Sequence, residues 1–392
     1  MSPPVKQSAA DRTDWPRWLW PRAAYLHIPF CAHRCGYCDF ATVAGQDHLA
    51  DRYLDALAAE IATLGDPQPV ETVFVGGGTP THLNTHQLER FLRTVRAWFL
   101  LDPGGEFTVE ANPGTLDADK VAVLAEYGVT RVSLGAQSFH PPLLRVLERN
   151  HDPDDVPRAV ELVRQRLAEV SVDLIFGVPG QTREQWAADL ARAVALGVDH
   201  LSTYGLTYEK GTRLWKQRER GEVRPLDEEL ERALYEHTMD ALAAAGFEHY
   251  EISNFARPGH RCRHNLVYWA NEAYFGFGLG AARYVHGRRE VNTRDLHTYL
   301  AAVQAGASPV QQWEELGPEE RARETAVLQL RRLEGIDRVA FRVQTGCELD
   351  ALAGRALRRH TARGLLADDG RRVWLTREGK FVADTVFQSL LA

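Results

Sequence analysis

The sequence predicts an α/β protein built on parallel strands, followed by a smaller C-terminal domain. Short apolar runs alternate with amphipathic segments six times between residues 24 and 206, and the pattern changes after residue 220. Strands that alternate with helices pair in parallel through right-handed crossovers, in an open sheet or in a barrel. The periodicity alone does not choose between these two architectures.

Six apolar runs are expected to form the parallel strands: residues 24–28, 72–75, 106–110, 131–134, 171–176 and 200–206. Four segments with apolar residues three or four positions apart are expected to form helices: residues 51–65, 86–99, 117–128 and 183–197. Ligand sites gather beyond the carboxyl ends of parallel strands. We therefore expect a site where the cysteines, glycines and polar residues follow these strands.

The second half of the chain has a different pattern. A long amphipathic helix is expected over residues 226–246 and a strand over 248–253, before a stretch rich in glycine and aromatic residues. A helical region over 317–333 precedes a hairpin turn at 368–370. The expected divisions are an N-terminal tail (1–22), a core (23–225), its continuation (226–316) and a small C-terminal domain (317–392). The basic run over 351–380 resembles a winged-helix surface but is most simply a solvated face.

Composition limits the classes of function. The chain has 392 residues, 44% of them apolar, so it can bury a sizeable interior. A net charge of −7 argues against a polyanion as the main partner, and we expect no nucleic acid ligand. No apolar window of about 18 residues occurs, so we expect no transmembrane segment. Three clustered and two isolated cysteines do not form a secreted disulfide framework, and we expect a cytoplasmic protein.

Three of the five cysteines, Cys31, Cys35 and Cys38, lie within eight positions. Thiolates at close spacing favour zinc or iron–sulfur ligation, and a closed site normally takes four protein ligands. The spacing leaves two interpretations: a zinc site completed by His27 or His33, or a cluster with one open coordination position. The isolated Cys262 and Cys347 are expected to be dispensable for either site.

This CxxxCxxC loop after a first strand, with Tyr37 before the last cysteine, resembles the radical S-adenosylmethionine (SAM) superfamily. The resemblance implies a partial (βα)6 barrel with a C-terminal α+β, winged-helix-like extension. It also implies a [4Fe–4S] cluster on Cys31, Cys35 and Cys38, with SAM as the ligand of the remaining iron.

Six further blocks narrow the resemblance: "YLHIPFC", "VFVGGGTPT", "VEANPGT", "RVSLGAQSF", "VDLIFGVPGQT" and "HNLVYW". Together they resemble the branch that contains anaerobic coproporphyrinogen III oxidases and HemW-type haem chaperones. The SAM contacts that this resemblance implies are Tyr25, Tyr37, Gly77, Gly78, Thr79, Glu110, Gln137, Arg149 and Asp173. Glycine at the "GGGTP" turn would let the polar end of a ligand approach backbone N–H groups.

"HNLVYW" indicates a second centre. A histidine beside aromatic residues is, on the residues alone, most simply a packed and hydrogen-bonded core residue. The match to the HNxxYW pattern of the haem chaperones implies instead that haem binds here, with His264 as its axial ligand. Tyr268 and Trp269 would cover a porphyrin face, and Arg261 and Arg263 would meet the propionates. We expect this site to be separate from the cluster.

The expected function is therefore that of a haem chaperone, which binds haem and passes it to acceptor haem proteins. The alternative is an oxygen-independent coproporphyrinogen III oxidase, a radical SAM enzyme of haem biosynthesis. That enzyme carries a further cysteine where this chain has Phe40, and it has a longer arm than the 24 residues before Tyr25. A radical enzyme for another substrate stays open, and the resemblance to the chaperones implies that the chain can dimerise.

Overall fold

The structure is a computed structural model and describes residues 16–391. Its strands, in chain order, are β1 (Ala23–Ile28), β2 (Phe30–Cys31), β3 (Val43–Ala44), β4 (Gln68–Gly77), β5 (Phe99–Ala111), β6 (Arg131–Gln137), β7 (Glu169–Phe176), β8 (His200–Gly205), β9 (Glu248–Glu251), β10 (Asn254–Ala256), β11 (Phe275–Phe277), β12 (Ala282–Val285), β13 (Arg288–Asn292), β14 (Val310–Glu315), β15 (Ile336–Asp337), β16 (Leu366–Asp368) and β17 (Arg372–Leu375).

Its helices are α1 (Ala50–Ala62), α2 (Thr85–Trp98), α3 (Ala118–Glu126), α4 (Pro141–Val146), α5 (Asp155–Arg164), α6 (Arg183–Ala195), α7 (Arg213–Glu219), α8 (Glu228–Ala244), α9 (Arg263–Trp269), α10 (Leu296–Gln304), α11 (Pro318–Leu330), α12 (Arg338–Thr345), α13 (Leu349–Ala362), α14 (Arg377–Phe381) and α15 (Ala383–Leu391). The six predicted parallel strands are β1, β4, β5, β6, β7 and β8. The four predicted helices between them are α1, α2, α3 and α6, whereas the sequence analysis does not identify α4 and α5.

The main sheet is open, and its central strands run parallel. Its order is β11-β1-β4-β5-β6-β7-β8-β10-β9. The six predicted strands pair in parallel in chain order, and β11 lies parallel to β1 at one edge. At the other edge β10 pairs antiparallel with both β8 and β9. Because β11 and β9 do not pair with each other, the structure is a partial barrel, which confirms the expected (βα)6 fold.

One face of this sheet surrounds a cavity, and the other packs against the helices. Successive side chains of a strand point to opposite faces, so each strand contributes to both. Val73, Val109 and Leu134 belong to the apolar core that the sheet forms with the helices. The cavity is lined by one residue or more from each of the six strands, among them Tyr25, Phe74, Thr108, Ser133, Ser171 and Ser202. The barrel interior is thus aromatic on one side and rich in hydroxyl groups on the other.

Helix starts in the barrel follow ordinary capping chemistry. Asn84 and Gln87 form a reciprocal capping box at α2, and Thr182 and Gln185 form another at α6. The side chain of Asp227 accepts hydrogen bonds at the start of α8. These caps satisfy N–H groups that would otherwise lack partners. The starts of the outer helices are therefore determined by residues close to them in the sequence.

The C-terminal part has an apolar core of its own. Buried residues between 322 and 390 form one cluster, which contains Ala326, Phe341 and Leu357. A three-stranded sheet of order β15-β17-β16 lies with these helices, and β16 and β17 form the expected antiparallel hairpin. This arrangement agrees with a winged-helix-like extension. The domain limits given above remain predictions.

The described part of the N-terminal tail contacts the barrel. Arg17 forms ion pairs with Glu71 and Glu272, and the Trp20 ring meets Phe275 edge-on at 5.6 Å. Residues 1–15 of the predicted tail lie outside the described residues. Within residues 16–391, none of the helices has the length and apolar character needed to cross a membrane.

Candidate functional site

Cys31, Cys35 and Cys38 line a cavity of about 560 Å³ at the carboxyl ends of the parallel strands. We call it the cysteine cavity. Cys31 ends β2, and its Sγ lies 3.6 Å from Thr79 Oγ1, while Arg149 Nη1 donates to Cys35 Sγ at 3.4 Å. Burial raises the pKa of Cys31 to about 11, so this thiol is protonated at neutral pH. Metal binding here would release protons, because thiolates are the ligands.

The three thiols of this loop are a donor set that suits an iron–sulfur cluster. Within residues 16–391, no three histidine, cysteine or carboxylate side chains are arranged to hold one metal ion. A [4Fe–4S] cluster instead takes each thiolate on a different iron. His27 is not a free fourth ligand, because its ring nitrogens meet Tyr25 Oη at 2.9 Å and the Ala41 carbonyl at 3.0 Å. The zinc interpretation therefore lacks one of its two candidate histidines.

The glycine turn after β4 is held against the strand that leads to Cys31. The Gly78 N–H donates to the Ile28 carbonyl at 2.8 Å, and the Thr79 N–H donates to the Phe30 carbonyl at 2.9 Å. The Gly77 N–H donates to Glu110 Oε2 at 3.0 Å. These three N–H groups already have partners, which corrects the expectation that they receive the polar end of a ligand.

Close approach explains why this turn is glycine. Gly77 has φ of 106°, and a Cβ there would lie 2.2 Å from the His27 ring. A Cβ at Gly78 would lie 2.6 Å from the Pro29 backbone, directly before the cysteine loop. A side chain at Gly78 would therefore displace the cysteine loop as well as any ligand in the cavity.

Two half-buried carboxyl groups, Glu110 on β5 and Asp173 on β7, face the barrel interior on either side of β6. Burial raises the pKa of Glu110 to about 7, and the Asp173 carboxylate adds to this rise. Burial also raises the pKa of Asp173 to about 6, against the opposing hydrogen bonds from Ser202 and Ser133. Ser133 Oγ donates to the Asp173 carboxylate at 3.1 Å. This pair can bind a cationic ligand or hold a proton near neutral pH.

The structure brings nearly all the expected SAM contacts to the cysteine cavity. Its lining includes Tyr37, Gly77, Gly78, Thr79, Glu110, Gln137, Arg149 and Asp173. Gln137 ends β6 with φ of 65°, and Arg149 Nη2 donates to the Gly135 carbonyl. Tyr25 is the exception, because it lines a second cavity and its hydroxyl bonds to His27.

This second cavity, also about 560 Å³, holds the "HNLVYW" residues, and we call it the motif cavity. His264, Tyr268 and Trp269 line it from α9, as the sequence analysis expects. Residues that the sequence analysis missed also line it, including Phe74, Tyr204, Tyr274, Arg289 and Glu324. Inward strand positions such as Phe74 can be found from the alternation within each strand, whereas Arg289 and Glu324 come from distant elements.

The His264 side chain is fully buried, and both of its ring nitrogens have partners. Nδ1 lies 2.9 Å from Thr72 Oγ1, and Nε2 lies 2.8 Å from Tyr268 Oη. The ring also stacks on Phe74, with centroids 5.2 Å apart. Burial lowers the pKa of His264 to about 3, so the imidazole is neutral. This geometry matches the packed, hydrogen-bonded core histidine, and an iron ligand at this ring would have to replace an existing partner.

Both ends of α9 are fixed by other parts of the chain. Glu106 accepts hydrogen bonds from the N–H groups of Arg263 and His264 at 2.9 and 3.0 Å. At the other end, Gln344 Nε2 donates to the Ala270 carbonyl at 2.8 Å. The adjacent Asn271 donates through Nδ2 to Thr325 Oγ1 at 3.0 Å. The barrel therefore holds the first turn of α9, and the C-terminal domain holds its last.

The neighbours of α9 differ in part from expectation. Arg261 Nε pairs with Glu248 Oε2 at 3.0 Å, and Arg263 Nη2 donates to the Gly104 carbonyl at 2.7 Å. Neither arginine lines the motif cavity, so the structure does not bring them to a propionate position there. Cys262 is buried with its Sγ 3.4 Å from Glu106 Oε1, and burial raises the pKa of this thiol.

The two cavities are neighbours inside the barrel. They share six lining residues: Phe40, Gly77, Glu110, Ser133, Asp173 and Tyr204. Phe40 and Tyr204 are exposed aromatic side chains, at 65% and 42% of their surface. The expected separation of the two sites therefore holds only in part, because they are distinct spaces with a common wall.

Comparisons with known proteins agree with this geometry. Residues 25–193 match the radical SAM superfamily, and residues 316–382 match the HemN C-terminal domain. The chain is 38% identical to the haem chaperone HemW of Bacillus subtilis over 378 residues, which cover 94% of this chain and 99% of that protein. It is 39% identical to HemW of Mycobacterium tuberculosis, covering 95% of each.

Among solved structures, the fold is similar to the coproporphyrinogen III oxidase HemN of Escherichia coli, a radical SAM enzyme, with a TM-score of 0.83. This likeness covers 95% of the present chain and 90% of that structure at 24% sequence identity. It shows a shared fold, in agreement with the partial barrel and its C-terminal extension.

Proposed function

Because this chain belongs to the HemW haem chaperone family of the radical SAM superfamily, we propose that it binds haem and passes it to acceptor haem proteins. The proposal includes a [4Fe–4S] cluster on Cys31, Cys35 and Cys38 and a SAM molecule in the same cavity. Three free thiols in one loop suit a reducing compartment, so the proposal places this activity in the cytoplasm. It also includes a homodimer as the working form.

The observation that carries the proposal is the position of the "HNLVYW" helix. Tyr268 and Trp269 line a half-open cavity of about 560 Å³, and Tyr274 and Phe74 add aromatic surface to its wall. Ligand pockets commonly have volumes of about 300–1,000 Å³ and apolar walls with a few polar groups. A flat macrocycle with one metal centre suits such a wall, provided that α9 supplies an axial ligand.

The residues of the cysteine cavity fit the cofactors that the superfamily implies. Three thiols share one wall, with the Arg149 guanidinium against Cys35 to offset the negative charge of thiolates. When bound, the cluster would offer an iron to the amino acid part of SAM. Glu110 and Asp173 would receive the positively charged part of that ligand, and Gln137 supplies an amide at the same wall.

A transfer experiment tests this function. The full chain is reconstituted with iron and sulfide under anaerobic conditions, loaded with haem, and mixed with an apo-haem protein such as apomyoglobin. We expect one bound haem per chain, and loading of the acceptor at a rate that depends on the haem-loaded protein rather than on free haem. Cys31→Ala should lose the iron of the cluster and still bind haem.

The same preparation is incubated with coproporphyrinogen III, SAM and a reductant. We expect no protoporphyrinogen IX, because Phe40 stands where the oxidase carries a further cysteine. Formation of protoporphyrinogen IX would show that the chain is a coproporphyrinogen III oxidase rather than a haem chaperone. If the reconstituted chain binds no haem, the proposed chaperone function is wrong.

A further inference from the structure

We infer that Arg289 is the cation that binds a propionate of haem in the motif cavity, and that Glu324 occupies the place of this propionate in the haem-free chain. The inference rests on the proposed haem chaperone function and names a carboxylate partner at that same site. It gives Arg289 the role that the sequence analysis expects of Arg261 and Arg263, which do not line this cavity.

The motif cavity offers two permanent cations among the residues that the structure describes. Its lining contains Arg131 and Arg289 and no lysine. Its two histidines, His200 and His264, are neutral because burial lowers the pKa of each. A carboxylate inside a partly apolar cavity needs a cation or strong hydrogen-bond donors. A propionate in this cavity is therefore expected to pair with one of the two arginines.

Arg131 is already committed to other partners. Its guanidinium donates to Glu106 Oε2 at 3.1 Å, to Glu169 Oε2 at 2.5 Å and to the His260 carbonyl at 3.0 Å. Glu106 is buried and in turn accepts from the first turn of α9. A ligand that drew Arg131 away would leave this buried carboxylate without its cation, which is costly. Arg289 is therefore the cation that remains for a ligand.

Arg289 lies at the aromatic wall of the cavity and is not fully enclosed. Its side chain is 24% exposed, and its Cζ lies 5.3 Å from the centre of the Tyr284 ring. Burial raises the pKa of Tyr274, and the nearby Arg289 charge opposes this rise. The Tyr274 ring meets Tyr268 edge-on at 4.7 Å. Arg289 is thus close to the wall that the proposed function assigns to the porphyrin.

The position of a propionate is marked by Glu324, which also lines the cavity. Arg289 Nη1 donates to Glu324 Oε1 at 2.6 Å, and Nη2 donates to Oε2 at 3.0 Å. This is the forked geometry in which a guanidinium binds a carboxylate. A propionate can take the same position by replacing one carboxylate with another. Arg289 is then paired both before and after haem is loaded.

Glu324 can leave this ion pair without becoming an isolated buried charge. Its side chain is 22% exposed, and its Oε2 accepts from Asn271 Nδ2 at 3.2 Å, a bond that does not involve Arg289. The more exposed Glu314 pairs with Arg289 Nη1 at 2.8 Å and can stay when Glu324 leaves. The exchange therefore needs the movement of one glutamate side chain on α11.

The test compares haem with haem dimethyl ester, which keeps the iron and the macrocycle but has no carboxylate. Both ferric porphyrins are titrated into the full chain, into Arg289→Gln and into the matched control Arg288→Gln, whose side chain lies outside the cavity lining. The measured quantity is the ratio of haem affinity to ester affinity. Because Arg289→Gln loses a forked ion pair with the propionate, this ratio should be about tenfold lower than in wild type and Arg288→Gln.

Glu324→Gln separates ligand binding from support of the fold. It breaks the same ion pair as Arg289→Gln, so a pair with a structural role alone would make haem binding weaker in both variants. We expect instead that Glu324→Gln binds haem about threefold more tightly than wild type, because the competing carboxylate is gone. Its affinity for the ester should not change.

Arg289→Lys keeps the charge but not the fork, so its ratio should lie between those of wild type and Arg289→Gln. Equal ratios in wild type and Arg289→Gln would overturn the assignment of Arg289 while leaving the chaperone function intact. The same conclusion would follow if Glu324→Gln bound haem no more tightly than wild type. Failure of wild type to bind either porphyrin would instead overturn the proposed function.

Discussion

Glu110 links the glycine turn to the barrel interior, and its protonation changes the charge of the cysteine cavity. Its pKa is raised to about 7 by burial first and by Asp173 second, while the Gly77 N–H opposes the rise. A carboxyl group with a raised pKa is neutral below that value and anionic above it. The cavity therefore gains negative charge as the pH rises from about 6 to about 8.

We predict that SAM binds more tightly at pH 8 than at pH 6 because this ligand carries positive charge. A complete change from neutral to anionic at one contact is worth about 1 kcal/mol or more, so the affinity should rise about fivefold or more. SAM binding to the reconstituted protein is measured by the change in cluster absorbance across this pH range. In Glu110→Gln the pH dependence should flatten, and an equally steep profile in that variant would contradict the assignment.

Individual residues show which parts of the candidate site can be predicted from local sequence patterns. The cysteine loop, the glycine turn and the residues at the ends of β5, β6 and β7 could be placed from the sequence, because strand order fixes which carboxyl ends meet. Tyr25 could not, because its depth in the barrel follows from the neighbouring strands, and its hydroxyl is taken by His27. The N–H groups of Gly78 and Thr79 are occupied by Ile28 at the end of β1 and by Phe30 in the two-residue strand β2, and no local pattern identifies these contacts.

At the scale of elements, Glu60 joins α1 to the second half of the chain. Its carboxylate is buried and accepts from the Gly278 N–H at 2.9 Å, from Asn292 Nδ2 at 2.6 Å and from the Tyr299 hydroxyl at 2.6 Å. All three partners donate. An amphipathic pattern places such a glutamate on the helix surface, which is why the sequence analysis does not find this junction.

We predict that Glu60→Gln lowers the free energy of unfolding by about 1–3 kcal/mol, because the amide turns one acceptor into a donor that faces another donor. The exposed Glu126 on α3 provides a control, and Glu126→Gln should change this free energy by less than about 0.5 kcal/mol. Urea unfolding followed by far-ultraviolet circular dichroism measures both. Equal stability of wild type and Glu60→Gln would show that this junction is not needed.

β11 is the element that the sequence analysis misses for a comparable reason. It has three residues in a segment rich in glycine and pairs with β1, which lies far away in the chain. Glycine is required here because other parts of the chain approach the backbone closely. A Cβ at Gly276 would lie 1.8 Å from the Ala282 carbonyl oxygen, and a Cβ at Gly278 would lie 2.5 Å from Tyr53 Oη. Long amphipathic helices and apolar strands are predictable locally, whereas a short edge strand depends on its partner.

At the scale of the whole molecule, the two cavities share a wall, so the proposed haem and SAM would contact the same residues. Tyr204 borders both spaces and is partly exposed. Two bulky ligands that both contact Tyr204 would compete for the position of this side chain. We predict that SAM weakens haem binding about fivefold or more, and that haem weakens SAM binding by the same factor, as linkage requires.

Haem titrations with and without SAM measure this effect, together with the reciprocal SAM titrations. Tyr204→Ala should reduce the coupling, whereas Trp313→Ala, which changes an exposed aromatic residue outside both cavity linings, should keep it. Cys31→Ala should bind haem without responding to SAM. If the wild-type protein has the same haem affinity with and without SAM, the common wall does not couple the two binding sites.

The two anchors of α9 have a consequence for biosynthesis. The first anchor, Glu106, leaves the ribosome before the helix, but Thr325 and Gln344 follow it. A nascent chain that stops before Gln344 contains the cysteine loop, the parallel strands and "HNLVYW", yet the last turn of the helix lacks its hydrogen bonds. Such a chain already has the three cysteines of the proposed cluster, whereas its proposed haem site is incomplete. We therefore predict that the proposed cluster is inserted before the proposed haem is loaded.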